Sequence, residues 1–235
     1  MTGALYRLFL TSQATKGRLA GLLALGGVAV LLGIAIGAST TADPLDDGTT
    51  MIGQFGLAVV APVATLVFAS ASLGDLHEDG TLVYVWLRPV ARWRIVAAAV
   101  AATLTVALPV VVVPMVASAA FTGAGAELVA ATAAACALAV IGYTGVFTWL
   151  GLRVRRALVW GLAYILVWEG FVARAGANTA RLSLRASTRS VLARLADGPE
   201  RLVELSLGAA VAIPLAAGVV GVWLTIRRLT RQDVA

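Results

Sequence analysis

Charge is what this chain has least of. Of its 235 residues only 13% are charged, roughly half the share of an average soluble domain, while 60% are apolar and the mean hydropathy is +0.92. That balance sets aside a soluble globular fold and points to a single polytopic membrane domain over 1–235. Cysteine and histidine occur once each. A lone Cys136 can form neither an intrachain disulfide nor a thiolate metal cluster. Its place inside an apolar run is that of a small buried residue. His77 alone cannot supply the paired ligands of a bis-histidine haem or of an HExxH zinc site. No GxxxxGK[ST] segment occurs, so no P-loop for ATP is expected, and no metal, cofactor or catalytic group is assigned to the chain.

The 18 basic residues outnumber the 12 acidic ones, for a net charge of +6. In a soluble protein this excess would suggest nucleic acid. Here the basic residues sit at the ends of apolar runs, as topology signals do, and no nucleic-acid partner is expected. The first 18 residues mix polar and apolar types, so no cleavable leader is expected.

A helix crosses the hydrocarbon core in about 20 residues. Six apolar runs qualify: 19–38, 51–73, 95–121, 128–152, 157–168 with an extension to 172, and 205–226. Glu169 interrupts the fifth. The fold class expected is all-α, with six spans preceded by an N-terminal interfacial helix within 1–18, where Leu5, Leu8 and Phe9 share a face.

The connecting segments set the orientation. Arg7, Lys16 and Arg18 precede the first run; Arg88, Arg92 and Arg94 lie between the second and third; Arg153, Arg155 and Arg156 follow the fourth; Arg227, Arg228 and Arg231 end the sixth. The opposite side holds Asp43, Asp46, Asp47 and Glu127. Lys/Arg bias then predicts a multi-pass plasma-membrane protein with both termini in the cytoplasm. The extracytoplasmic segment 173–204 also carries arginines, but its length weakens its weight in that rule. Arg181, Arg185 and Arg189 recur every four residues, with Leu184, Val191, Leu192 and Leu195 among them. This predicts a short amphipathic helix on the outer surface, ended by Asp197-Gly198-Pro199.

Within the apolar cores of the six runs there is no Asp, Glu, Lys, Arg or His, Glu169 standing at the outer end of the fifth. A charge at mid-bilayer costs at least about 2.5–3.5 kcal/mol, so one is placed there chiefly where function needs it. Without one no internal proton relay is evident, and if the chain moves a solute uphill the drive is expected to enter from outside the membrane. The remaining polar groups, among them Gln54, Thr65, Thr103 and Thr144, suit helix–helix hydrogen bonding and a pathway for amphipathic solutes. Gly17/Gly21 and Gly33/Gly37 have GxxxG spacing, which permits close helix approach. Pro62, Pro109, Pro114 and Pro214 lie inside spans, where they kink helices.

The cytoplasmic segment 74–94 concentrates what the rest of the chain lacks. It holds Asp75, Glu78 and Asp79, then Gly80-Thr81, then an apolar run broken by Arg88-Pro89, then Arg92. Its pattern, His77-Glu78-Asp79-Gly80-Thr81-Leu82 followed by Leu87-Arg88-Pro89-Val90-Ala91-Arg92-Trp93-Arg94-Ile95, resembles the "E-x-E-D-G-T-L-x-x-L-x-x-R-P-V-S-R-x-x-I" segment of ABC-2 type transporter permeases. Ala91 replaces the usual Ser, and His77 a common acid or Arg. Val167-Trp168-Glu169-Gly170 and Leu182-Ser183-Leu184-Arg185 are similar to "L-W-E-G" and "L-S-x-R" in actinobacterial-looking members. The resemblance covers the whole chain. It implies an exporter permease whose 74–94 segment docks on a separate ATP-binding-cassette ATPase subunit, with ATP and Mg held there. It also implies a homodimer or a heterodimer with a related permease. Asp75, Glu78, Asp79, Gly80, Thr81, Arg88, Pro89 and Arg92 are the coupling candidates. Glu169, with Arg181 and Arg185, is the candidate outer gate. The competing class is an ATP-independent secondary transporter or channel-like protein.

Overall fold

A computed structural model describes residues 2–39, 43–78, 90–170, 183–198 and 205–231. Every regular element among them is helical: α1 (Thr2–Gln13), α2 (Lys16–Ala38), α3 (Pro44–Met51), α4 (Ala61–Glu78), α5 (Arg92–Phe121), α6 (Ala126–Arg153), α7 (Ala157–Ala163), α8 (Leu184–Leu195) and α9 (Leu207–Arg231). Two π-helical stretches interrupt them. Ile52–Val60 joins α3 to α4, and Tyr164–Glu169 continues α7.

Five helical stretches are long and apolar enough to cross a membrane: Lys16–Ala38, Pro44–Asp75, Arg92–Phe121, Ala126–Arg153 and Leu207–Arg231. Ala157–Glu169, expected as the fifth of six spans, is a shorter apolar helix. The outward faces of α2, α7 and α9 expose Leu31, Val159, Trp160, Val219 and Trp223, each more than half accessible. Long apolar helices with large apolar side chains left exposed are compatible with a multi-pass membrane protein.

α6 is the hub, packed on α4, α5, α8 and α9. Small residues make this possible. A Cβ on Gly145 would collide with the Gly218 carbonyl, and one on Gly221 with the Gly145 backbone, so α6 and α9 meet backbone to backbone as small-residue seams in membranes do. Gly33 and Gly37 are used the same way against Ser118 and Phe121 of α5, and Ser118 Oγ donates to the Ala29 carbonyl at 2.6 Å. That GxxxG pair therefore serves packing within the chain. Gly17 and Gly21 meet nothing within 4 Å.

Several boundaries differ from those expected. Asp43, Asp46 and Asp47 do not lie in an open loop. Asp43 caps α3 by accepting from the amides of Leu45 (3.0 Å) and Asp46 (3.4 Å), Pro44 occupies the first turn, and the other two acids sit at the helix's positive end. Residues 74–78, expected in the cytoplasmic loop, continue α4, and Arg92 already opens α5. The N-terminal helix buries Leu5, Phe9 and Gln13 against the start of α5, while Leu8 is 44% exposed. Thr103 Oγ1 donates to Gln13 Oε1 at 3.1 Å and lies 3.0 Å from the Ala99 carbonyl, while the Gln13 amide nitrogen is buried with no hydrogen-bond acceptor among the described residues.

Candidate functional site

The candidate residues collect at two ends of the bundle. One end holds Glu169 and α8. The other holds Asp75, Arg92 and the last turns of α6 and α9.

At the first end the π-helical turn does the positioning. Gly170 N–H donates to the Ile165 carbonyl, five residues back, at 3.1 Å. Turns closed in i→i+5 bonds stack residues five apart, so Tyr164 and Glu169 share a face, and the Tyr164 hydroxyl donates to Glu169 Oε1 at 3.2 Å. The carboxylate, only 3% exposed, then meets the N-terminus of α8. It accepts from Ser183 Oγ (2.5 Å), Leu184 N–H (3.1 Å) and Arg185 N–H (3.2 Å). Ser183 Oγ in turn accepts from Ala186 N–H at 3.0 Å. A buried carboxylate is tolerated where its lone pairs are filled, and the positive end of a helix favours its charge. Tyr143 and Phe147 of α6 stack at 5.4 Å, with Tyr164 set edge-on to Phe147 at 6.1 Å. This aromatic column floors the site.

The structure corrects the reading of the outer helix. A helix does form before the last span and ends at Asp197-Gly198, with Asp197 in the left-handed region (φ 47°). It does not lie on the surface. Leu184 to Thr188 and Ser190 to Ala193 are all buried, and α8 packs between α6, α9 and the π-helical Ile52–Val60. Its Ser and Thr side chains explain why. Ser187, Thr188 and Ser190 donate to the carbonyls of Ser183, Leu184 and Ala186, so groups that count as polar in the sequence ask nothing of water. The cations are also placed. Arg185 Nη2 donates to Gln54 Oε1 at 2.5 Å, Arg189 lies over Gly53, and Arg194 Nε donates to the Leu205 carbonyl at 2.9 Å.

Of the gate candidates, Glu169 and Arg185 are therefore brought together, through the Arg185 backbone. Arg181 lies outside the described residues. Gln54, Ser183 and Tyr164 complete the cluster. Sequence reasoning passed over their part because nothing in their spacing signals a π turn.

At the second end, Asp75 accepts from Arg18 Nη2 at 2.8 Å, an ion pair between the starts of α2 and the last turns of α4, both side chains partly exposed. Beside it a cavity of about 250 Å³ opens between α4 and α7, lined by Ser70, Gly74, Asp75 and Arg156 among others. Arg92 is the first residue of α5 and Glu78 the last of α4. Asp79, Gly80, Thr81, Arg88 and Pro89 lie outside the described residues. Between α5, α6 and α9 runs an apolar groove of about 400 Å³, bordered by Leu104, Ile141, Thr144 and Val222. Among the described residues no group of three or more His, Cys, Asp or Glu side chains could hold a metal ion. Compared with known proteins, the chain matches no protein-family model and has no significant match among curated proteins.

Proposed function

We propose that this chain is the membrane-spanning permease subunit of an ABC-2 type exporter: six spans, both termini cytoplasmic, paired with a second permease and driven by a separate ATPase subunit. The carrying observation is the Glu78–Ile95 sequence and where its two flanks end. α4 is described as far as Glu78 and α5 starts at Arg92, at the same end of the bundle as Arg18, Arg153 and Arg228. That end is the basic one, which the positive-inside rule assigns to the cytoplasm, where a soluble ATPase would reach the connecting segment. The helix interiors support an external drive, because charged residues of the long spans stand only in their terminal turns. On this reading ATP and Mg belong to the partner, and the apolar groove along α9 suits an amphipathic solute.

Rigid helices would carry the signal. Asp75 ties α4 to α2 through Arg18, and Ser70 and Gly74 pack on Gly151 of α6. A push at the end of α4 therefore reaches the hub helix. At the opposite end α8, held by Glu169 and carrying Arg185 in its first turn, would be the element that moves to release solute. The test is the double substitution Glu78→Lys and Asp79→Lys in cells that also make the partner ATPase. The chain should still insert, while export is lost and ATP hydrolysis no longer responds to the permease. Unchanged export would remove the coupling role.

A further inference from the structure

The last turns of α6 and α9 enclose a pocket of about 260 Å³ lined by Trp149, Arg153, Leu224, Arg227, Arg228 and Arg231. Four guanidinium groups on one small concavity repel one another, and no described carboxylate forms an ion pair with any of them. Two are held in place by the fold. Arg228 Nε donates to the Leu152 carbonyl at 3.2 Å, and Arg227 stacks on the Trp223 ring at 5.2 Å. Arg153 and Arg231 are exposed beside them. Trp223 is 54% accessible, as an indole resting at the headgroup level of a bilayer would be.

We propose that this pocket binds the phosphate of an anionic phospholipid. Planar guanidinium forks match phosphate oxygens in pairs. Basic pockets between spanning helices at the cytoplasmic face are where anionic headgroups lodge. The neighbouring Trp223 and Leu224 continue onto the apolar surface of α9, so the acyl chains attached to that phosphate stay in lipid. Free inorganic phosphate presents the same oxygens without the chains, and the two sources are separable. The inference rests on the membrane placement and cytoplasmic orientation proposed above, and not on the permease role.

The test follows thermal unfolding of the purified full chain in neutral detergent. Short-chain phosphatidylglycerol, short-chain phosphatidylcholine and sodium phosphate are titrated in separately. Phosphatidylglycerol should raise the midpoint saturably, with phosphatidylcholine and free phosphate at least tenfold weaker. Arg153→Gln and Arg231→Gln break no hydrogen bond within the described chain. Together they should weaken the phosphatidylglycerol response by about fivefold for each arginine. Arg155→Gln removes the same charge outside the pocket and should leave the response unchanged. Equal weakening by Arg155→Gln would show general surface attraction and overturn the site. Equal potency of free phosphate would overturn the lipid as its source.

Discussion

The two ends of this bundle handle charge in opposite ways. At the Glu169 end a carboxylate is buried and fully bonded by four donors, two of them backbone amides of α8. At the other end arginines cluster at helix ends, and an ion pair there, Arg18–Asp75, is part-exposed. The first end spends its charge on architecture, because an unmet buried group is costly. The second leaves charge accessible, which contributes little to stability and suits contact with a surface or a headgroup.

Substitutions can break or sharpen that contrast. The largest effect is expected away from both ends, at the seam that holds them together. Gly145→Leu forces a side chain into the Gly218 backbone. It should cost about 3 kcal/mol or more, seen as a fall of roughly 10 °C in the thermal midpoint or as failure to yield folded protein in detergent. Next comes Glu169→Ala. It strips the acceptor from the α8 amides and from Ser183, and should cost about 2–4 kcal/mol. Glu169→Gln, which keeps one carbonyl oxygen, should cost less. Amide exchange should rise in 184–195 and stay level in 92–121; a uniform rise would mean that Glu169 is not a local cap. The smallest effect belongs to Asp75→Asn, below about 1 kcal/mol and shrinking as salt is raised. If Asp75→Asn destabilised the fold as much as Glu169→Ala, the distinction between the two ends would collapse.

Parts of this arrangement were legible in the sequence for a physical reason. The third and fourth spans, read as 95–121 and 128–152, form as Arg92–Phe121 and Ala126–Arg153, since charges bracket a long apolar run and leave it little choice of register. The second span was read from Met51, but its helix begins at Pro44, because acids that cap a helix look like loop acids until the amides they face are known. The arginine stripe Arg181, Arg185 and Arg189 pointed α8 to the surface, whereas here Arg185 is buried against Gln54 and the Ser and Thr hydroxyls are met by their own helix. The two π stretches left no readable sign beyond Pro62. That residue lacks an N–H and follows the first of them. Glu169 was noticed at its position, but its four donors depend on that unreadable turn.

The burial of α8 has a consequence for biogenesis. A segment with Arg185, Arg189 and Arg194 has no reason to remain in lipid alone. Its seat is built from α6, which is synthesised before it, and from α9, which is synthesised after it. The ribosome therefore delivers this helix before one wall of its socket exists. Glu169, already in place on the preceding helix, is the mooring that can hold its first turn until the last span closes the berth.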